Sequence, residues 1–318
     1  MKRVLLATLA IALVGAAVAF VALARPRAGG PPVPRATIAA RWAKVHEWAA
    51  LERREAGDPA RLIEAVAKLQ GDRSLVADFL RARDASRRAG ASQADATVPA
   101  GVAPAVALLV RWHEEGGGLG PKVAPFEPPR SVDLLTLGRV ALATAGPDPA
   151  APRRLAALHL GRALRRNGAL VDAVVGFKLA AEAGPPCGGP FAPEPGELYP
   201  ALAAEALRTY ESVAAELQRN PRPRGWPPRV KGRPRTAPVP IERELLMLKW
   251  YLGDVLHDAW PLRDDPERLA AWFEGRTRRD APKSTLVDVA SPVASYSVLL
   301  RQMVATMRAC PPASQPRP

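Results

Sequence analysis

Cysteine and histidine are scarce in this chain, at two and four of 318 residues. That excludes a disulfide-dense scaffold and, with no CxxC and no Cys close to a His, gives no support to a structural zinc site. Aromatic residues make up only 5%, and β-branched residues are few beside alanine and leucine, which argues against an all-β sandwich or barrel. HExxH and GxSxG are both missing, so neither a zincin nor a nucleophile-elbow hydrolase is indicated. Acidic residues are outnumbered, 31 against 45 Lys+Arg, for a formal net charge of +14. What remains is a helix-forming composition: 48% hydrophobic, most of it Ala, Leu and Val, with 35 prolines and 24 glycines gathered in runs. The length suits one large domain or two modest ones.

The only long hydrophobic run is Val4 to Ala24, between Met1-Lys2-Arg3 and Arg25-Pro26-Arg27. Its 21 residues would span about 31 Å as a helix, enough to cross a bilayer core. Secretory h-regions are shorter, about 7–15 residues, so length points to an uncleaved anchor. Composition points to a cleaved signal: eight of the 21 are alanine, and Ala17-Val18-Ala19 or Ala22-Leu23-Ala24 would suit a signal peptidase. Basic residues on both flanks leave the Lys/Arg orientation rule nearly silent, so insertion with the body in the cytoplasm is a third option. Anchor and cleaved signal both place the body outside the cytoplasm, at a bacterial inner membrane or, if cleaved, as a soluble periplasmic or secreted protein. There, Cys187 in PPCGGP and Cys310 in ACPP could form one bridge; two free thiols are the alternative.

Helical periodicity dominates the rest, and no stretch alternates with period two, so the expected fold is all-α: an irregular helical bundle or short helical-hairpin array. A Pro/Gly spacer covers 25–35, a helical body 36–219, a basic Pro/Arg-rich linker 220–240, three C-terminal helices 241–309, and a disordered tail 310–318. Ile38, Trp42, Val45 and Ala49 mark the first helix. Asp58-Pro59 caps the second, with Leu62, Ile63, Val66 and Leu69 inward. Further helices follow at 74–87, 104–115, 131–144, 152–166, 169–183 and 197–219, with breakers between them. Helix 241–260 carries two apolar faces, one of Ile241, Leu245, Leu248, Leu252 and Val255, the other of Leu246, Trp250 and Gly253, the pattern of a central buried helix. Asp265-Pro266 and Ser291-Pro292 open the last two, the latter with Val293, Tyr296, Leu300, Val304 and Met307 on one face.

Residues 160–185 place Leu160-Gly161, Leu164, Gly168, Leu170, Ala173, Phe177, Ala180 and Pro185 at characteristic offsets, so the segment 154–187 resembles a single tetratricopeptide-like helical hairpin. The resemblance implies two antiparallel helices touching at Gly161 and Ala173, a turn at Gly168 and Phe177 in the seam. Leu137-Gly138 lies 23 residues upstream rather than at the repeat's spacing, and no second copy is present. More widely, LAALHLGRALRRNGALVDAVVGFKLA and PVASYSVLLRQMVATMRA resemble uncharacterised, membrane-anchored helical proteins of GC-rich bacteria. Arginine exceeding lysine 37 to 8 fits such a genome. This resemblance covers about a quarter of the chain, and its motifs are packing motifs.

Three histidines precede an acid: His46-Glu47, His113-Glu114-Glu115 and His257-Asp258. Neighbours in a helix point about 100° apart and rarely form a catalytic unit. Asp254 and His257, at i and i+3, have the spacing of a carboxylate–histidine metal pair but lack further ligands. Glu211-Ser212 resembles the catalytic Glu-Ser of lytic transglycosylases, although the linker stands where their Gly-rich companion motif would fall. Gly116–Gly120 with Lys122 lacks the Gly-Lys-Ser/Thr ending of a phosphate loop and reads as a helix stop. Trp42/Trp48 and Trp250/Trp260 have the spacing of core residues.

No catalytic, cofactor or metal residue is therefore assigned. The segment RNPRPRGWPPRVKGRPRTAPVP at 219–240 has seven basic residues, seven prolines and no acid. Arg222, Arg224, Arg229, Lys231, Arg233 and Arg235 are the candidate contacts to a polyanion: anionic lipid or envelope polysaccharide outside the cytoplasm, with nucleic acid disfavoured there. The leading expectation is a non-enzymatic, membrane-anchored scaffold with a protein partner; the alternatives are an envelope hydrolase using Glu211 or Asp254/His257, and a polyanion binder. Intact mass of the non-reduced protein from native membranes checks the membrane segment and the bridge together. The full chain lighter by two hydrogens would mean an uncleaved anchor and a Cys187–Cys310 bridge, loss of the first 19 or 24 residues a cleaved signal, and the full chain with both thiols free would leave the topology open and restore the nucleic-acid reading of the linker.

Overall fold

Helix is the only regular structure among the described residues of the computed structural model: 33–51, 57–88, 98–119, 130–146, 148–167, 170–184, 191–219, 241–277 and 290–309. Eleven α-helices are present among them: α1 (Arg35–Ala50), α2 (Ala60–Gly71), α3 (Arg73–Arg88), α4 (Ala103–Glu114), α5 (Ser131–Ala143), α6 (Pro152–Arg165), α7 (Leu170–Ala183), α8 (Leu198–Arg219), α9 (Ile241–Ala259), α10 (Pro266–Thr277) and α11 (Ala290–Ala309). Each falls where periodicity and breakers placed a helix. The capping chemistry also holds: Ala60 N–H donates to the Asp58 carboxylate at 2.8 Å, and Arg268 N–H to Asp265 at 3.0 Å. The segments 4–24 and 220–240, with Cys187 and Cys310, lie outside the described residues. Among the described residues, no helix is long and apolar enough to cross a membrane.

The chain folds as two compact units. The first takes the N-terminal stretch through Leu51 together with Leu198–Arg301; the second takes Glu52–Glu197 and the residues after Arg301. The division does not follow the linker at 220–240, because α1 and α8 from one side of it pack with α9 from the other.

In the first unit α9 is central, against α1, α8 and α10. Its buried stripe runs Glu244, Leu248, Tyr251, Leu252, Val255 and Ala259, with Met247 and Leu256 beside it. Ile241, Leu245, Leu246 and Trp250 are only half-buried, so the stripe is rotated from the apolar pattern and takes in a carboxylate and a phenol. Trp48 stacks on Trp260 at 4.8 Å and 12°, and Tyr199 meets both rings edge-on. The Tyr199 hydroxyl donates to the Leu256 carbonyl, and burial raises its pKa. Tyr296 on α11, whose pKa is likewise raised by burial, packs edge-on to Phe273.

The second unit is built on α2, α4, α5, α6 and α7. Leu62, Val66 and Leu69 enter its core with Leu109, Trp112, Leu137 and Leu160. Ile63 does not: expected inward, it is 43% exposed, because its position lies about 100° round the helix from Leu62. Helices α6 and α7 run antiparallel, since Arg154 at the start of α6 donates to the Ala183 carbonyl at the end of α7 while Gly161 meets Gly176 midway. That contact is backbone on backbone: a Cβ on Gly176 would stand 2.2 Å from the Gly161 carbonyl oxygen and 2.7 Å from the stem of Arg165. Gly138 on α5 instead makes room for a side chain, that of Leu179.

Two glycine substitutions should therefore act in opposite directions. Gly176→Ala forces α6 and α7 apart and should cost about 1–3 kcal/mol in urea unfolding. Gly275→Ala, within α10 with nothing inside 4 Å of the added carbon, should stabilise by about 0.5–1 kcal/mol.

Candidate functional site

The largest gathering of buried polar groups surrounds α6 in the second unit. Arg154, His159 and Arg165 on this helix are all buried, as is Glu197 from the short 3₁₀ turn Pro195–Glu197. Arg165 falls one turn after Gly161, on the face turned to α7, so its stem is carried into the core by the helix repeat. Its Nε donates to Glu197 Oε2 at 2.6 Å and its Nη2 to the Phe191 carbonyl at 2.8 Å. Arg166 Nε donates to the other oxygen of Glu197 at 2.9 Å. One carboxylate thus holds two adjacent guanidiniums. The Arg165 side chain is 0% exposed, and burial lowers its pKa against the opposing pull of Glu197. A guanidinium stays charged in proteins regardless, so the network clamps the 191–197 segment to the end of α6.

Next to it lies an aromatic–imidazole stack. His159 sits between Trp112, 4.7 Å away, and Phe191, 5.1 Å away and inclined by 23°. His113 Nδ1 and His159 Nδ1 share a hydrogen bond of 3.0 Å, and Arg162 lies over the Phe191 ring at 4.8 Å. Burial first, then His159 beside it, holds the His113 pKa below its ordinary 6.5.

The glycine run after α4 closes the bottom of this stack. Gly116 adopts φ +73°, and Gly117 packs flat on the Trp112 indole, where a Cβ would come within 2.2 Å. Trp112 Nε1 donates to the Gly118 carbonyl at 3.0 Å, and Gly57 lies against the Gly118 backbone. The described part of GGGLG is thus a tryptophan wrapper that ends a helix. Outside the stack, Arg61 grips Glu115 through a 2.6 Å bond, and this hydrogen bond is what chiefly lowers the Glu115 pKa.

The residues singled out for chemistry in the first unit have other partners. Asp254 pairs with Arg41 of α1 and Arg276 of α10, tying three helices together, while His257 is exposed and closest to its neighbour Asp258. Glu211 stands exposed on α8, without the apolar pocket that raises a general acid's pKa. Trp42 packs against Tyr210 with the rings inclined by 59°, and Lys249 lies over both rings. Among the described residues, no group of three or more His, Cys, Asp or Glu side chains could hold a metal. The six linker cations, Arg222 to Arg235, and both cysteines fall outside the described residues.

The His113–His159 pair and the Arg165–Glu197–Arg166 network were missed in the sequence, where the bonded partners lie 46 and 31–32 residues apart. One signal was available: Arg165 occupies the same helix face as the small residue Gly161, where a solvated arginine has no place. Comparison with protein-family models, curated proteins and solved structures finds no match to this chain.

Removing Glu197 while leaving both guanidiniums in place should be costly. Glu197→Ala is expected to lose about 3–5 kcal/mol of the second unit's stability, whereas Arg165→Met with Glu197→Leu should restore most of it. Chemical unfolding of the three proteins checks this. A double variant as unstable as Glu197→Ala would show that packing, not charge, dominates.

Proposed function

We propose that this chain is a non-catalytic helical scaffold of the bacterial envelope, anchored through residues 4–24 with its helices outside the cytoplasm and offering them to a protein partner. The observation that carries the reading is the use made of its polar side chains. Asp254 joins α1 to α10 across α9, Glu197 joins two arginines of α6, and the glycine run wraps Trp112. Of the hydrolase candidates, Asp254 is engaged in holding helices together, and Glu211 and His257 stand exposed on their helices. The antiparallel α6–α7 pair supports its reading as one tetratricopeptide-like unit, although Gly161 meets Gly176 where the resemblance implied Ala173. The basic run 219–240 gives such a scaffold a second attachment, to anionic head groups or envelope polysaccharide, at up to about 1 kcal/mol for each cation near a membrane.

A deletion strain provides the test. Glu211→Gln and His257→Ala, singly and together, should complement it fully, and protease added to spheroplasts should digest the body. Failure of either variant to complement at normal protein level would restore the hydrolase reading, and a protected body would reverse the topology. Removing residues 220–236 should lower retention on anionic vesicles and flatten its salt dependence; unchanged retention would remove the polyanion contact from the proposal.

A further inference from the structure

The imidazole pair beside α6 is a titratable contact whose geometry admits only some of its charge states. With His113 Nδ1 and His159 Nδ1 at 3.0 Å, one nitrogen must carry the proton and the other accept it. A neutral pair meets this requirement, and so does a pair with one added proton, as imidazolium and imidazole. A doubly protonated pair does not. Both Nδ1 atoms would then point hydrogens at each other, with two positive charges at hydrogen-bond distance.

We propose that the His113–His159 pair is an acid-opened latch that holds the segment beginning at Phe191 against α6. His159 is the floor on which Phe191 stacks, and Phe191 forms a buried apolar cluster with Leu158 and Ala183, against which Leu155 and Leu142 pack. When the second proton enters, the imidazoles separate and hydrate, the stack on Trp112 and Phe191 is lost, and the apolar patch under Phe191 is uncovered. Opening also breaks the Arg165 bond to the Phe191 carbonyl and lifts the ring from Arg162, while the Arg165 and Arg166 bonds to Glu197 hold the far end of the segment, which makes the movement a local opening rather than unfolding.

The neighbouring charges favour opening on balance. From α6, Arg162 disfavours the charged form of His113; from α4, Glu114 favours it, and Arg162 ranks below Glu114 but adds to burial and to His159 itself. The other charged groups nearby have different partners. Glu115 bonds Arg61 of α2, Glu194 and Glu197 bond Arg166 and Arg165, Arg139 of α5 bonds Glu182 of α7, and Asp172 accepts from Ser131 and Asn167. The sign of the linkage follows from the lowered His113 pKa. The stabilisation it contributes is fully present above pH 6.5 and is lost as the pH falls through the lower, folded-state value.

Histidine NMR and amide hydrogen exchange on the full chain in detergent micelles test the latch. Between about pH 7.5 and about pH 5, exchange protection of the amides at 191–198 should fall about tenfold, after correction for intrinsic rates, in step with the His113 titration. His159→Phe keeps the stack without a titrating ring, and should leave that protection independent of pH. If this variant does not fold, His113→Gln serves, because a single imidazole cannot build up the paired charge. No fall in the native chain, or an equal fall in the variants, overturns the proposal.

Discussion

Burial of the Arg165 guanidinium is the constraint around which the second unit is arranged. A charge fully removed from water needs an opposite charge and hydrogen bonds at once, and Glu197 with the Phe191 carbonyl supplies both. The same arginine requires that α7 present no side chain where its stem passes, which Gly176 meets. Close helix contact, a buried ion pair and a docked segment are therefore one solution to one problem. Loosening any part exposes the desolvation cost of the rest.

The first unit solves a different problem with similar means. Helix α9 is covered by three neighbours and still carries Asp254 near its C-terminal end, so Arg41 and Arg276 converge on it. Here the pair is partly solvated, with Asp254 16% exposed, and screening leaves it worth less than the buried network. The aromatic cluster of Trp48, Tyr199 and Trp260 bears more of the load, through area and through ring geometry. Such rigidity would serve the scaffold role proposed above, because a partner's affinity falls when the surface must first be ordered.

Helices α4 and α6 also show how an inert core can hold a responsive element. Trp112 is fixed by the glycine turn and Phe191 by the Arg165 bond. His159 lies between their rings and is hydrogen-bonded to His113. Breaking the His113–His159 bond, as proposed above, would act on a stack and not on a loop already in solvent.

All eleven helices were legible because their signals are local: apolar spacing near 3.6 residues, Asp-Pro caps at 58–59 and 265–266, and glycine or proline between elements. Gly161 was legible as a contact point, whereas its partner Gly176 was not, since nothing in the spacing distinguishes it from a tolerated helix glycine. Ile63 was misplaced because its position falls about 100° round the helix from Leu62, off the face that α2 buries. The composition and periodicity determined the helical character of the described residues and the run of their elements. Only the tertiary structure decided that α1 packs with α8 and α9, that Arg165 meets Glu197 and that His113 meets His159. Those pairings join residues 31 or more positions apart. They are chosen by which faces can be buried together without stranding a charge, a condition that exists only once the helices are assembled.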